Sequence, residues 1–277
     1  MTNNLKIAFF GTPDYAVIVL DELKNSQILP SLIITTPDRP ARRGLALTSP
    51  PAKIWAEKNN IPVLQPEKLD ADFAFRLSTL DFGLGVVVAY GKIIPESVIE
   101  IFSKGILNIH PSLLPKYRGP SPLSVPILAG DTETGVTIMQ LDSEMDHGPI
   151  LAQEPHTLSG NENANELGEI LFKKGGEILS NILNDFALGK ITTKEQVHSM
   201  ATITKKVVKE DGEINISGDA ILNWRKFRAY DGWPGIYFFQ NGKRIKITDA
   251  ELVDGKFVIK KVIPEGKKEI LFEEWRT

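Results

Sequence analysis

The 277-residue sequence has no cysteine and only four histidines, which restricts its chemistry from the start. Without thiols the chain has no disulfide bond, no thiolate nucleophile and no cysteine-ligated zinc site. It has no apolar run near the roughly 20 residues of a membrane span, and its polar first residues are not typical of a secretory leader. The formal net charge of −3 shows that it is not basic overall. We therefore expect a cytoplasmic protein without a membrane segment.

Motifs for nucleotide cofactors and calcium are also missing. Gly11 follows the first apolar run, but Gly11–Asp14 lacks the glycine spacing that lets a dinucleotide approach a helix. The acidic segment Asp142–Gly148 alternates carboxylates as a calcium loop does, yet Gln153 stands at the twelfth position in place of a bidentate glutamate. A nucleotide cofactor is therefore disfavoured, calcium is not expected, and the acidic segment is interpreted as a solvated turn.

The first half of the chain alternates apolar runs with amphipathic patterns. The runs have the composition of strands buried on both faces. They are Leu5–Phe10, Ser31–Thr35, Gly85–Ala89 and Gly105–Ile109. Thr12 and Pro13 predict the capped start of a first helix. Further helices are predicted around Ala52–Asn59 and Pro95–Phe102. Because strands and helices alternate, we predict an α/β fold with a doubly wound, mostly parallel sheet.

The pattern changes after this region. Two more strands are predicted, at Gly135–Leu141 and Pro149–Gln153, and a helix is predicted over Asn163–Leu183. Beyond a polar stretch, a short helix precedes strand patterns separated by Asn241-Gly242 and Asp254-Gly255, which are typical hairpin turns. We therefore predict three segments: a first domain over residues 1–189, a linker over 190–203, and a small all-β domain over 204–277.

One histidine lies in a position suited to chemistry. Asn108 and His110 alternate along a predicted strand, so they share one face at its C-terminal end. In open parallel sheets ligands bind at that end. From the residues alone, a ligand site and a pair that merely satisfies loop carbonyls stay equally open. The other three histidines, His147, His156 and His198, are expected at the surface.

A long connection, Thr36–Pro51, is the second candidate site, and we call it the arginine loop. It carries Arg39, Arg42 and Arg43, with only Asp38 opposing them. Long loops in compact domains are often functional, and arginines bind phosphates well. Composition alone slightly favours the alternative, a solvated loop.

A resemblance adds to these observations. The segment Asn108–Pro115 (NIHPSLLP), followed by Asp146 thirty-six residues after His110, resembles the signature of the 10-formyltetrahydrofolate-dependent formyltransferases. Further stretches are similar to members that act on tRNA. They are Phe10–Ala16, Thr36–Gly44, Val86–Gly91, Ala129–Gln140 and Arg228–Pro234.

The resemblance implies a Rossmann-like formyltransferase domain followed by a shortened, OB-like barrel that binds tRNA. It implies transfer of the formyl group of 10-formyltetrahydrofolate to the amino group of methionyl-initiator tRNA, by a monomer and without a metal. The alternative is the same transfer to a small amine acceptor, either glycinamide ribonucleotide or an amino-sugar nucleotide. The arginine loop and the second domain favour the tRNA, because a small acceptor needs neither.

The resemblance also implies roles for particular residues. The catalytic set is Asn108, His110 and Asp146. The folate contacts are Ser112, Leu113, Leu114, Pro115 and Tyr90. The tRNA contacts are Arg39, Arg42 and Arg43. Apart from the resemblance, basic residues of the second domain are candidates to extend this surface into a broken cationic track, and a solvated surface stays about equally open for them. They are Arg225, Lys226, Arg228, Lys243, Arg244 and Lys246.

Overall fold

The structure is a computed structural model that describes residues 5–40 and 47–276. Over these residues the chain divides into two compact units. The first comprises Met1–Arg118, Gly135–Pro155 and Glu169–Thr202, and the second comprises Gly119–Thr134, His156–Gly168 and Ile203–Thr277.

The strands are β1 (Ile7–Gly11), β2 (Leu32–Ile34), β3 (Arg39–Pro40), β4 (Leu47–Thr48), β5 (Val63–Leu64), β6 (Leu84–Val88), β7 (Ile106–His110), β8 (Glu133–Gln140), β9 (Ile150–Thr157), β10 (Ile236–Gln240), β11 (Lys243–Val253), β12 (Lys256–Pro264) and β13 (Ile270–Leu271). The helices are α1 (Asp14–Asn25), α2 (Pro51–Lys58), α3 (Ala71–Ser78), α4 (Glu96–Ile99), α5 (Ser124–Ala129), α6 (Ala164–Ala187), α7 (Ala220–Ala229) and α8 (Phe272–Arg276). Two short 3₁₀ segments cover His198–Met200 and Lys209–Gly212.

The large sheet has the order β5-β2-β1-β6-β7-β8-β9. Its first five strands pair in parallel, and β8 pairs with β7 in the antiparallel sense. All five residues of β1 and of β7 are buried, as strands covered on both faces require. The predicted α/β fold with a doubly wound, mostly parallel sheet is therefore confirmed.

The strand order reverses at β1, since the chain leaves β1 for β2 on one side and later returns to β6 on the other. The carboxyl ends of strands around such a switch point are the usual place for a ligand in this architecture. Strand β7 lies next to β6, so its last residue, His110, belongs to this end of the sheet.

The predicted cap of the first helix was wrong. Helix α1 begins at Asp14 with Pro13 in the cap position, and no side chain caps it. The hydroxyl of Thr12 instead donates to the backbone carbonyl of Tyr90, 3.0 Å away. A partner distant in sequence has thus replaced the local one. The helix buries an apolar face formed by Ala16, Val19, Leu20 and Leu23.

The second sheet is antiparallel, with the order β10-β11-β12-β13. The two predicted hairpin turns are confirmed, because Asn241-Gly242 and Asp254-Gly255 have positive φ at both residues. Helix α7 is capped by Asp219, whose carboxylate accepts from the backbone N–H groups of Ile221 and Leu222.

Candidate active site

Strand β7 brings the two predicted site residues to the end of the sheet. Asn108 lies opposite Met139 of β8, and His110 lies opposite Thr137. Both side chains are buried, with 9% of Asn108 and 4% of His110 exposed. A buried polar side chain is costly unless it is hydrogen-bonded, so its partners show what it is arranged to do.

Asp146 reaches the same place from the loop between β8 and β9. Its Oδ1 atom lies 3.4 Å from Nδ2 of Asn108 and 3.6 Å from Nδ1 of His110. The carboxylate is itself mostly buried, with 14% of the side chain exposed. The structure therefore brings together all three residues of the predicted catalytic set. Their catalytic role stays a prediction.

The other ring nitrogen of His110 contacts a backbone carbonyl. Nε2 lies 2.9 Å from the oxygen of Tyr117. A carbonyl only accepts, so this nitrogen carries a hydrogen and donates. The second neighbour of the ring, the Asp146 carboxylate, is also an acceptor, and it lies 3.6 Å from Nδ1.

The segment predicted to contact folate folds tightly on itself and on β8. The hydroxyl of Ser112 donates to the carbonyl of Lys116, and its own carbonyl accepts from the hydroxyl of Thr137. The N–H of Leu114 donates to the same hydroxyl, and its carbonyl accepts from Gln153. These backbone groups already have partners within the protein. The half-buried side chains of Leu113 and Pro115 remain more accessible than Ser112 and Leu114.

Tyr90, the remaining predicted folate residue, is packed inside the core. Only 2% of the side chain is exposed, and its ring meets Phe10 edge-on with centroids 5.5 Å apart. Its hydroxyl has no hydrogen-bond partner within the described residues, and burial raises the pKa of Tyr90 to about 12. The side chain thus does not line a surface. Its backbone carbonyl, the acceptor for Thr12, lies at the sheet's switch point.

Two histidines expected as isolated surface residues form a pair beside Asp146. The rings of His147 and His198 stack with centroids 4.0 Å apart and 5° between their planes. Nδ1 of His147 lies 2.7 Å from Oδ2 of Asp142. Nδ1 of His198 lies 2.9 Å from the Arg118 guanidinium, which can only donate. His156 lies elsewhere, in β9, and is half-buried.

Two buried polar residues next to this pair were not predicted from the sequence. Arg118 is 8% exposed and Gln196 is 5% exposed. The guanidinium donates to Oε1 of Gln196 from Nε at 3.1 Å and from Nη2 at 2.7 Å. The Gln196 amide donates to the carbonyls of Asp146 and Gly148. No sequence pattern marked either residue.

The base of the arginine loop is built around Asp38. Its carboxylate accepts from Gln65, Lys53 and Ser49, at 2.6, 2.7 and 3.2 Å. The hydrogen bonds from Gln65 and Lys53 hold the pKa of Asp38 below its usual value. Arg39 is exposed in β3, paired with Thr48 of β4. Arg42 and Arg43 lie outside the described residues.

Lys92 is a second cation whose charge interacts with that of Arg39. The Lys92 ammonium donates to the carbonyls of Pro66 and Glu67, both at 2.7 Å. Burial, and to a smaller extent the charge of Arg39, lower the pKa of Lys92. The charge of Glu67 acts in the opposite direction on the pKa of Lys92.

Part of the predicted cationic track has a structural role. Arg228 is 8% exposed, donates to the carbonyl of Glu162 and lies over the ring of Trp224. Arg225 donates to the carbonyl of Ala129 at the end of α5. Lys226 donates to two backbone carbonyls. Arg228 is too buried to serve as a surface contact. The predicted cationic track was therefore wrong to include it.

The described residues contain neither a cluster of metal ligands nor a helix that could span a membrane. Within them, no group of three or more histidines and carboxylates is arranged to hold a metal ion. No helix in that part of the chain is long and apolar enough to cross a bilayer.

The sequence matches one family over both predicted domains. Residues 5–183 match the family described as formyl transferase, and residues 206–273 match the formyl transferase C-terminal domain. The chain belongs to the formyl transferase family, as the Asn108–Pro115 motif predicted.

The chain is similar to proteins named methionyl-tRNA formyltransferase. A protein of Chloroflexus aggregans named methionyl-tRNA formyltransferase is 47% identical over 247 residues, which cover 89% of this chain and 80% of the relative. The structure named methionyl-tRNA formyltransferase from Clostridium thermocellum superposes with a TM-score of 0.62 at 18% identity, over 94% of this chain and 98% of that one.

A second solved structure has the same fold. It is the N-formyltransferase of Helicobacter canadensis, described as a complex with folinic acid and dTDP-3-aminofucose. It superposes with a TM-score of 0.64 at 20% identity, over 92% of this chain and 95% of that one. At such identities the two structures show the fold alone.

Proposed function

We propose that the protein transfers the formyl group of 10-formyltetrahydrofolate to the α-amino group of methionyl-initiator tRNA, acting as a monomer. The observation that carries the proposal is the cluster of Asn108, His110 and Asp146 at the carboxyl end of β7. The name of the Chloroflexus relative, at 47% identity over most of both chains, supports the tRNA as acceptor.

The reaction requires charge to develop at one oxygen and a proton to move between two nitrogens. The amino nitrogen attacks the formyl carbon, a C–N bond forms, and the carbonyl oxygen becomes negative in the tetrahedral intermediate. The intermediate collapses when the bond from carbon to N10 of the folate breaks. The amine loses a proton and N10 gains one, so the products are the formylated amine and tetrahydrofolate.

In the proposal, three side chains stabilise the oxyanion and transfer the proton. The amide of Asn108 donates to the developing oxyanion, and the ring of His110 stabilises the same charge and carries the proton. Asp146, whose carboxylate lies 3.6 Å from Nδ1 of His110, orients the ring in this proposal. The burial of all three matters, because hydrogen bonds and charges act more strongly where water is excluded.

Folate is assigned in the proposal to the surface beside β7. The candidates are Ser112, Leu113, Leu114, Pro115 and Tyr90. Because the polar backbone of Ser112 and Leu114 is already bonded, the contribution of this segment is expected to be apolar contact from Leu113 and Pro115. Tyr90 contributes through its backbone, since its side chain is in the core.

The acceptor is assigned to the arginine loop and the second domain. Exposed Arg39, its neighbours Arg42 and Arg43, and the domain over residues 204–277 are proposed to bind tRNA phosphates. A first domain over residues 1–189 and a linker over 190–203 complete the proposed division. Phosphate contacts supply affinity that is independent of base sequence and falls with salt.

The decisive experiment offers three acceptors to one enzyme. Formyl transfer from 10-formyltetrahydrofolate is measured with methionyl-initiator tRNA, glycinamide ribonucleotide and an amino-sugar nucleotide in parallel. We expect product with the tRNA only. Transfer only to a small amine would retain the catalytic residues and overturn the tRNA assignment. An enzyme that is inactive with every acceptor and does not bind folate would contradict the proposal entirely.

A further inference from the structure

The side chain of Gln196 is hydrogen-bonded to the loop that carries Asp146. Its amide nitrogen donates to the backbone carbonyl of Asp146 at 2.9 Å and to that of Gly148 at 2.8 Å. The two carbonyls flank His147, so one side chain fixes both ends of a three-residue segment. Both amide hydrogens are used, and the side chain is almost completely buried.

Arg118 fixes which way the Gln196 amide faces. A guanidinium only donates, and it donates twice to Oε1 of Gln196. The opposite amide orientation would place a donor against donors and an oxygen against two carbonyls. The amide nitrogen is therefore held toward the Asp146 loop by charge-assisted hydrogen bonds.

The loop that carries Asp146 has an unfavourable backbone conformation that these hydrogen bonds stabilise. Asp146 has a φ of +50°, in the left-handed region that residues other than glycine seldom adopt. Its carboxylate oxygen Oδ1 lies 3.4 Å from Nδ2 of Asn108 and 3.6 Å from Nδ1 of His110. The place of this carboxylate therefore depends on the backbone of the loop keeping this conformation.

A second contact joins the same two segments. His198, two residues after Gln196, stacks on His147, the residue after Asp146. Its Nδ1 also faces the guanidinium of Arg118. Segment 196–198 therefore holds segment 146–148 at two points, and Arg118 contacts both supporting side chains.

We propose that Gln196, oriented by Arg118, is a positioning residue that holds the Asp146 carboxylate beside His110 for formyl transfer. The inference rests on the proposed function only through the catalytic role of Asp146. Gln196 itself contacts neither substrate nor reacting atoms in this assignment. Its effect is exerted through the backbone of the loop.

The test is a double-mutant cycle on the full-length enzyme. Gln196→Leu removes both donors and the acceptor at nearly constant volume, and Asp146→Asn removes the carboxylate charge. Because a misplacement of about 1 Å costs on the order of 10²-fold in rate, we expect Gln196→Leu to lower kcat by about 10²-fold. The KM values should change little. In the Asp146→Asn background the same substitution should lower kcat by less than about threefold.

A matched control separates positioning from stability. The amide of Asn59 likewise donates to a carbonyl, that of Trp55, and accepts from a cation, Lys24. We expect Asn59→Leu to lower Tm and leave kcat unchanged. If Gln196→Leu does not fold, Gln196→Glu is used, since it keeps the length and the Arg118 pair but loses both donors. The same loss of kcat is expected.

Two results would overturn the proposal. One is a folded Gln196 variant with wild-type kcat, and the other is an equal loss of kcat in both backgrounds, which would show that Gln196 does not act through Asp146. If the wild type transfers no formyl group to methionyl-tRNA, the proposed function fails instead. The cycle is then measured with the amine acceptor that the enzyme does use.

Discussion

Removing the Asn108 amide separates the catalytic role of this residue from its structural one. In the proposed mechanism Asn108 donates to an oxyanion that exists only during the reaction. Losing one such donor typically raises the barrier by about 2.7–4 kcal/mol, which corresponds to about 10²–10³-fold in kcat. We expect this loss for Asn108→Ala, with the KM values for folate and tRNA nearly unchanged.

The expected cost to the fold is smaller. The contact of Asn108 with Asp146 spans 3.4 Å, so it is a weak hydrogen bond, and its removal costs no more than about 1 kcal/mol. In a chain of this size that corresponds to a fall in Tm of about 2–4 °C. A loss of activity larger than the loss of stability is therefore the signature of the proposed role.

The assay is single-turnover formyl transfer at saturating folate and tRNA, with Tm measured on the same preparations. Asn223→Ala is the control, since Asn223 is also buried and donates to the carbonyl of Asn215 at 2.8 Å. This control should lower Tm and keep kcat. If Asn108→Ala retains kcat within about threefold of the wild type, the assignment of Asn108 as an oxyanion donor is refuted.

Three further predictions test the loop that carries Asp146 and the arginine loop. Gly148→Ala should lower both Tm and kcat, because a Cβ there would overlap the carbonyl oxygen of Gln140 and force the loop to move; a stable variant with normal kcat would contradict this. Neutralising Arg39, Arg42 or Arg43 should raise the apparent KM for tRNA and reduce the salt slope by about one per phosphate contact, with exposed Arg76→Ala as the control. A fall in folate affinity would instead show that the loop belongs to the folate site. Asp38→Asn should lower the free energy of unfolding in urea, because the folded protein lowers the pKa of Asp38 from its ordinary 3.8. The difference from the wild type should be constant at neutral pH and shrink as the pH falls through the folded-state pKa, and a difference that grows in acid would reverse the sign of this linkage.

The parts of the fold that the sequence predicts are those decided by local patterns. The runs that form β1, β6 and β7 are mostly apolar, and their predicted ends differ from the observed ones by one or two residues. Helix α3 was not predicted, although its signals are present. Asp70 caps it by accepting from Phe73, and its buried residues follow a helical spacing. Thr12 was misassigned because its hydroxyl bonds to Tyr90, a partner that no local rule considers.

In the candidate site, too, local patterns predict some of the residues and contacts between distant segments determine the others. Alternation along one strand places Asn108 and His110 together, so the pair is predictable from the residues. Asp146 joins them from another loop, and only the resemblance to a family pointed to it. Arg118 and Gln196 carry no signal, because one follows a proline-rich segment and the other lies in a polar stretch interpreted as linker. Their importance arises from contacts between segments 78 residues apart.

The choice of acceptor has to be decided outside the catalytic cluster. The Helicobacter structure, described with an amino-sugar nucleotide, and the Clostridium structure, named for methionyl-tRNA, share this fold at 20% and 18% identity. A common scaffold cannot by itself distinguish a nucleotide sugar from a tRNA. The difference must come from segments that only one acceptor reaches. In this chain the strongest candidate is the loop of Arg39, whose base is held by hydrogen bonds to the carboxylate of Asp38. Substitutions in the loop should therefore change the acceptor KM, whereas substitutions in the cluster should change kcat.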